Sequence, residues 1–247
     1  MSQILTVSPD FNTKYLAGWF ILNNWLQHAL ETSIRLEVFD DFERQRDAIR
    51  DGKVDLIYAN PYDAAWLVRE RGYRAVAKPR SKCDETVVAT SAQGPVERVE
   101  DLSPGITVAT TDDPDVHMMG MIMLEPADLG AANVTLKRCE NYVLVAKELM
   151  RGHAAAGFFL ADTYNELSPM IRSKLRVLVE SQINVIHHLF LVSPAMGEQA
   201  VAVHDALTGL AQSDKGRSVL DDIGIPGWDD VSEEDVEFMI DLMDTLV

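Results

Sequence analysis

The chain alternates between short apolar runs and longer segments in which apolar residues recur at the spacing of a helix. The N-terminal part predicts strands at 4–7, 34–39, 54–58 and 74–77. Between and after these strands it predicts helices at 14–30, 42–51 and 61–71. Alternating strands and helices are typical of a mostly parallel sheet with helices on both faces.

A break rich in Ser, Gly and Pro at 91–95 leads to a second series of the same kind. This series predicts helices from Pro114 and at 142–151, and strands at 106–109, 134–136, 155–160 and 175–179. A strand at 85–90 leads into it, and a long strand at 185–192 leads out of it. Two series of this type predict two α/β lobes joined by two crossing hinge strands.

The boundaries follow from these two crossing strands. We expect one lobe to comprise residues 1–86 and 188–247, and the other residues 87–187. Three helices close the chain, at 197–212, 215–223 and 232–246. Ser232 followed by Asp235 is a variant of the capping box. The apolar stripe of the last helix consists of Val236, Met239, Ile240, Met243 and Leu246.

Three motifs occur in a fixed order along the chain. They are Asp51-Gly52-Lys53 before a Val-Asp-Leu strand and Asn60-Pro61-Tyr62; Arg151-Gly152-His153 before a small-residue strand and Asp162-Thr163-Tyr164; and the closing segments 213–220 and 223–228. Together they resemble solute-binding proteins of the phosphate/phosphite/phosphonate ABC-transporter family. The resemblance implies a type II periplasmic-binding-protein-like fold, a ligand in a cleft between the lobes, and closure about the hinge. It also implies a transporter or a sensor as a partner.

The segment that should hold an anion departs from the family pattern. Family members present a turn rich in Ser, Thr and Gly, whose free N–H groups bind the anion at a helix start. Here the segment reads Thr110-Thr111-Asp112-Asp113-Pro114-Asp115-Val116-His117, and Asp113 is a natural N-cap. The Gly-His-Glu turn of the family is replaced by Arg138-Cys139-Glu140-Asn141-Tyr142. We therefore expect a neutral or cationic organic ligand rather than an oxyanion.

Strand ends supply the candidate ligand-binding residues, because ligands of open α/β sheets lie there. The candidates are Asp10, Phe11, Asn60, Tyr62, Thr110, Thr111, His117, Glu140, Asn141, Asp162 and Tyr164. Tyr62 and Tyr164 are expected to contact the ligand from opposite lobes, and Asn60 and Asn141 to form hydrogen bonds. Turn or packing roles for Asn60, Tyr62 and Tyr164 stay open, as do helix-capping roles for Asp10, Asp41 and Asp162.

His117 and Glu140 are expected to set the charge selectivity of the site. The same two residues, with Asp162, also permit an alternative reading as the acid/base groups of a cytosolic enzyme. A metal site built from Asp113, His117, Cys139 and Glu140 is another alternative, and the methionines at 118–123 would favour a soft ion. A degenerate sensor or accessory protein is a further alternative. No cofactor is expected.

Two further sets of residues bear on the ligand and the compartment. Lys78, Arg80 and Lys82 would add positive charge to one wall of the cleft, or lie on a solvated loop. Cys83 and Cys139 are far apart in the sequence and form no metal or redox motif. They therefore do not identify the compartment.

The formal net charge of −17 narrows the set of partners. Nucleic acid and anionic membrane surfaces attract positively charged proteins, so neither is expected to bind. No apolar run is long enough to span a bilayer, so we expect no membrane insertion. The chain opens on strand-like Ile4–Val7 without the features of a secretory signal. This predicts a cytoplasmic protein, or a periplasmic one if an export segment has been removed.

Overall fold

A computed structural model describes residues 2–245 of the chain. The predicted stripe residue Leu246 lies outside the described residues, as do Met1 and Val247. The chain divides into two compact units. The first comprises the residues up to Cys83 together with His187–Asp244, and the second comprises Asp84–Ile186. Among residues 2–245, every helix is too short or too polar to cross a membrane.

The first unit begins with strands and helices in alternation. They are β1 (Gln3–Val7), α1 (Leu16–Leu30), β2 (Ile34–Leu36), α2 (Phe42–Arg50), β3 (Leu56–Ala59), α3 (Pro61–Arg71) and β4 (Arg74–Pro79). The chain returns to this unit with β10 (Leu189–Val192), α8 (Ala200–Thr208), α9 (Asp214–Ile223), β11 (Trp228–Asp229) and α10 (Glu233–Thr245). Short 3-10 turns at Thr13–Tyr15, Pro194–Gln199 and Leu210–Gln212 join some of these elements.

The second unit contains the intervening elements. They are β5 (Thr86–Ser91), β6 (Thr107–Thr110), α4 (Pro114–Ile122), β7 (Thr135–Arg138), α5 (Tyr142–Met150), β8 (Ala156–Leu160), α6 (Ala161–Glu166), α7 (Pro169–Arg172) and β9 (Leu175–Glu180). Two further 3-10 turns lie at Val99–Asp101 and Glu125–Ala127.

Each unit is built on one mixed sheet. The first sheet has the order β11-β4-β10-β3-β1-β2, and the second has the order β7-β6-β8-β5-β9. In the first, β1 runs parallel to β2 and β3, whereas β10 runs antiparallel to β3 and β4. In the second, β6 runs parallel to β7 and β8, whereas β5 runs antiparallel to β8 and β9. The parallel part of each sheet is therefore formed by β1–β3 in the first unit and by β6–β8 in the second. The other strands, β4, β5, β9, β10 and β11, form antiparallel pairs.

The core of the first unit lies between the sheet and its helices. Trp19, Leu22 and Leu26 of α1 are almost fully buried there. Burial of each such side chain contributes about 1.5–3 kcal/mol. Gly18 permits the close contact of α1 with α9, because a Cβ at this position would overlap the carbonyl group of Asp222. The helix predicted at 14–30 therefore serves mainly as a core element.

The second unit has a core of its own. Phe158 and Phe159 of β8 are fully buried, and Val145 of α5 packs in the same cluster. A Cβ on Gly120 of α4 would lie 2.6 Å from the ring of Phe158, so only glycine permits this contact. The same contact fixes how closely α4, and therefore its N-terminus, approaches the sheet.

Several element boundaries differ from the sequence-based prediction. The strand predicted at 185–192 begins only at Leu189, because residues 185–188 belong to no strand and Asn184, just before them, has a φ of 58°. The helix predicted at 197–212 is α8 with a 3-10 turn at each end. The sequence missed α6, α7 and β11, which are too short to show a periodic pattern. The reciprocal bonds of Ser232 and Asp235 confirm the predicted capping box.

Candidate functional site

Three segments meet at one edge of the first sheet. Val7 is paired with Tyr58, so the ends of the parallel strands β1 and β3 lie side by side. Leu189 is paired with Ala59, which places the residues before β10 next to the residues after β3. The Ser8 amide donates to the Tyr58 carbonyl at 2.8 Å and extends the ladder into the loop. Residues after β1 and β3 and before β10 therefore share one edge of the sheet.

Asn60 forms the turn between β3 and α3. Its Oδ1 accepts a hydrogen bond from the Asp63 amide at 2.7 Å, and Pro61 occupies the first helical position. Its Nδ2 donates to Ser8 Oγ and to Asp63 Oδ2, both at 3.0 Å. Asn60 is fully buried. Its amide group holds the turn in place, and a direct contact with a ligand stays a prediction.

Asp63 and Arg46 support this turn from behind. Arg46 Nε donates to Asp63 Oδ1 at 2.5 Å. The guanidinium carbon lies 5.4 Å from the ring centroids of both Phe42 and Tyr62, within the range of a cation–π interaction. Among residues 2–245, Arg46 Nη2 is buried and has no hydrogen-bond partner. Neither charged residue was predicted from the sequence, although an acidic side chain in the first turn of a helix is a recognisable signal.

The predicted ligand residue Tyr62 lies on the surface of the first unit. Its side chain is 43% exposed, and the charge of Arg46 faces its ring. Phe11, another candidate, is partly buried and packs against the core cluster of the first unit. A ligand can therefore reach the ring of Tyr62 more readily than that of Phe11.

Asp10 lies beyond β1 and pairs with His188, which is not among the residues predicted from the sequence. Its Oδ2 lies 3.2 Å from Nε2 of His188. The imidazole of His188 stacks on Tyr58, with ring centroids 4.8 Å apart and planes at 21°. Asp10 is not the cap of the following 3-10 turn, since Asn12 accepts the bond from the Lys14 amide. The strand predicted at 185–192 includes His188, whereas in the structure this residue precedes β10.

The N-terminus of α4 in the second unit is occupied by its own cap. Asp113 Oδ1 accepts hydrogen bonds from the amides of Asp115 and Val116, at 3.1 and 3.2 Å. The hydroxyl of Tyr142 donates to Asp113 Oδ2 at 2.8 Å, and Thr111 Oγ1 accepts from the Asp113 amide at 3.4 Å. Asp113 is therefore the predicted N-cap, and the N–H groups that would bind an anion are engaged.

The threonines before this cap and the residues after it complete the second candidate set. Thr110 and Thr111 are buried, and within residues 2–245 the hydroxyl of Thr110 has no hydrogen-bond partner. His117, half-buried on α4, has a lowered pKa because burial disfavours its charged form and Arg138 adds positive charge nearby. Both effects favour a neutral imidazole at pH 7.

The remaining candidates of the second unit have different surroundings. Asn141 caps α5 by accepting from the Leu144 amide at 3.0 Å, and Glu140 beside it is exposed. Tyr164 is buried against Phe159 at 5.4 Å between ring centroids, and burial raises its pKa. Asp162 is exposed and, within α6, forms no cap. Tyr164 therefore has the packing role that the sequence left open, and its contact with a ligand stays a prediction.

The sequence also allowed an acid/base pair and a metal site as alternatives. Among residues 2–245, no hydrogen bond or ion pair joins His117 to Glu140. Within the same range, no three of Asp113, His117, Cys139 and Glu140 place ligand atoms within 4.8 Å of one another.

Of the basic residues Lys78, Arg80 and Lys82, Arg80 forms an ion pair with a residue outside the candidate set. Arg80 pairs with Asp229 at 2.7 Å and donates to the Trp228 carbonyl at 3.4 Å. Asp41, for which a capping role was left open, caps α2 by accepting from the Arg44 amide at 2.8 Å.

Comparison with known proteins supports the reading of the fold. The family model described as "ABC transporter, phosphonate, periplasmic substrate-binding protein" matches residues 5–236. PhnD1 from Prochlorococcus marinus, in complex with methylphosphonate, is 11% identical, with a TM-score of 0.81 over 100% of this chain and 99% of that chain. No curated protein matches the sequence.

More distant solved structures share the fold as well. The periplasmic aliphatic sulphonate binding protein SsuA from Escherichia coli is 15% identical, with a TM-score of 0.63 over 99% of this chain and 87% of that chain. An ancestral arginine-binding protein bound to arginine is 14% identical, with a TM-score of 0.60 over 89% and 96%. Likeness at these identities shows the fold alone, and it confirms the predicted type II periplasmic-binding-protein fold. With the family match over most of its length, the chain belongs to the family of ABC-transporter phosphonate periplasmic substrate-binding proteins.

Proposed function

We propose that this protein is a solute-binding protein for a small organic molecule with a neutral or cationic head group. Strand ends would contact that molecule, and an ABC transporter or a sensor would be its partner. The observation that carries this proposal is the cap of α4. Asp113 accepts the hydrogen bonds of two amides at the helix start, where a tetrahedral oxyanion would otherwise be bound.

The charge of the second unit points in the same direction. Asp113 at the N-cap and Asp115 in the first turn of α4 are both buried carboxylates. A phosphonate or sulphonate at this helix start would lie against negative charge and would find the two nearest amides already engaged. Methylphosphonate is present in one solved structure of this fold and arginine in another, so the fold accepts both signs of charge in other proteins.

The first unit offers groups that suit an organic ligand. Tyr62 presents an accessible aromatic ring, and the carboxylate of Asp10 lies at the end of the neighbouring strand. Aromatic rings combined with a few oriented polar groups are typical of small-molecule sites. Buried amides and hydroxyls such as those of Asn60 and Ser8 give the turn a fixed shape.

Native mass spectrometry tests this proposal. The purified protein is analysed intact and denatured, alone and after incubation with methylphosphonate, L-arginine and ethanolamine in a buffer containing EDTA. We expect a discrete non-covalent mass excess, either from a co-purified molecule or from a cationic probe. Retention of methylphosphonate alone would overturn the proposed ligand class. Retention of no small molecule would contradict binding itself.

A further inference from the structure

Asp10 is a buried carboxylate with an incomplete set of hydrogen bonds. Its side chain is 4% exposed. A carboxylate has about four acceptor positions, and burial is costly unless donors or positive charge satisfy them. Among residues 2–245, the imidazole of His188 is its only hydrogen-bond donor, at 3.2 Å to one oxygen and 3.4 Å to the other. Most of the acceptor capacity of Asp10 is therefore not used by the donors of the described residues.

The partner of Asp10 is held in one orientation by its surroundings. His188 directly precedes Leu189, whose register opposite Ala59 is fixed by the sheet. Its ring stacks on Tyr58, and Tyr58 in turn contacts Trp228 edge-on at 5.7 Å between centroids. A ring fixed in this way aims its Nε2 proton at the carboxylate and limits the positions that the carboxylate can take.

We infer that Asp10 binds the positively charged head group of the ligand, a primary ammonium or a guanidinium group. This inference rests on the proposed function and names the charge class of the ligand. Nitrogen cations of this kind carry several N–H donors, which is what the unfilled acceptor positions of Asp10 require. His188 is a positioning residue that orients the carboxylate by donating from Nε2 to its two oxygens. Tyr58 supports His188 by stacking.

A purely structural role for Asp10 is the competing explanation. In that case the carboxylate would serve only to hold the imidazole, and its loss would lower stability without changing the choice of ligand. Substitutions that separate the two parts of the pair distinguish these explanations. Asp10→Asn removes the charge and keeps a hydrogen-bond acceptor for His188. His188→Gln keeps an N–H donor, and His188→Phe keeps a ring on Tyr58 without a donor.

The test measures affinity for L-arginine, ethanolamine and methylphosphonate by titration calorimetry in EDTA buffer. The control variant is Asp47→Asn, an exposed carboxylate of the same unit that changes the net charge equally. We expect the wild type and the control to bind at least one cationic probe. Asp10→Asn should weaken that binding by about 10- to 100-fold, in line with a charge-assisted hydrogen bond. His188→Gln should bind nearly as well as the wild type, whereas His188→Phe should bind several-fold more weakly.

Other outcomes contradict the inference in distinguishable ways. If the wild type binds a cationic probe and Asp10→Asn binds it within twofold, solute binding stands and the role of Asp10 is wrong. If the wild type binds only methylphosphonate, solute binding again stands and the cationic class is wrong. If no probe binds, both proposals fail. Should Asp10→Asn not fold, His188→Phe still decides, because equal affinities of His188→Phe and the wild type would refute the positioning role.

Discussion

Each unit contains a turn from a strand into a helix that begins with a cap and a proline, but the caps of the two turns differ in charge. In the first unit a neutral cap, Asn60, precedes Pro61, and in the second a charged cap, Asp113, precedes Pro114. Both caps are buried. The first cap is connected to an ion pair through Asp63, whereas the second is connected to the hydroxyl of a tyrosine.

The two turns differ in which residue carries the negative charge. In the first turn the negative charge lies behind the cap, on Asp63, where Arg46 neutralises it. In the second turn the negative charge lies on the cap itself and is balanced by amide and hydroxyl dipoles. Two turns with the same cap-proline signal therefore have different electrostatic surroundings, and the sequence of each turn alone does not reveal them.

Removal of the Asp63 carboxylate is expected to change the free energy of unfolding more than any other substitution at the two turns. Asp63→Ala leaves the guanidinium of Arg46 without its ion-pair partner and removes one acceptor of the Asn60 amide. Breaking a largely buried ion pair on one side costs about 3–5 kcal/mol, and we expect the low end because Arg46 is 25% exposed. Urea denaturation followed by circular dichroism measures the free energy of unfolding.

Asp47→Ala is the matched control for this prediction. Asp47 pairs with Arg50 at 2.6 Å on the same helix as Arg46, but both side chains are more than half exposed, at 66% and 53%. Exposed pairs contribute about 0–1 kcal/mol. Equal losses of stability in the two variants would show that the support behind the first turn is no stronger than a surface pair.

Substitutions of Asp113 test whether the charge of this cap or its hydrogen-bond acceptor stabilises the second turn. Asp113→Ala should lower the free energy of unfolding of the second unit by about 1–2 kcal/mol, the usual contribution of an N-cap. Asp113→Asn should cost less than about 1 kcal/mol, because Asn caps as well as Asp and its amide can donate to the Tyr142 oxygen. Urea unfolding of both variants measures the difference. If Asp113→Asn is as unstable as Asp113→Ala, the charge of the cap stabilises this turn.

The sequence predicted the backbone of both turns and little of what surrounds them. Proline after Asn60 and after Asp113 defines the helix starts, since proline fits the first helical position and the cap satisfies the amides that follow. The pairing of Arg46 with Asp63, of Tyr142 with Asp113, and of His188 with Asp10 joins residues that are 17, 29 and 178 positions apart. Such pairs depend on sheet order and register, and hydrophobic periodicity carries no information about either.

A pH titration of His117 is the mildest test of the second turn. Burial and the positive charge of Arg138 lower the pKa of His117 in the folded protein below its ordinary value of 6.5. Between these two pKa values the unfolded chain binds more protons than the folded chain, so the free energy of unfolding decreases as the pH falls below 6.5. The loss is complete once the pH has fallen through the lowered pKa, and it should stay under about 1 kcal/mol because solvent screens a half-buried group.

The ring resonances of His117 give the folded pKa by NMR, and urea midpoints between pH 8 and pH 5 give the stability. In His117→Gln the decrease attributable to this residue should vanish, whereas acidification should still affect the other titrating groups. A folded pKa at or above 6.5 would mean that negative charge, the buried Asp113 and Asp115 included, outweighs burial at this helix start, and the second turn would then be more favourable to a cation than its hydrogen bonds alone indicate.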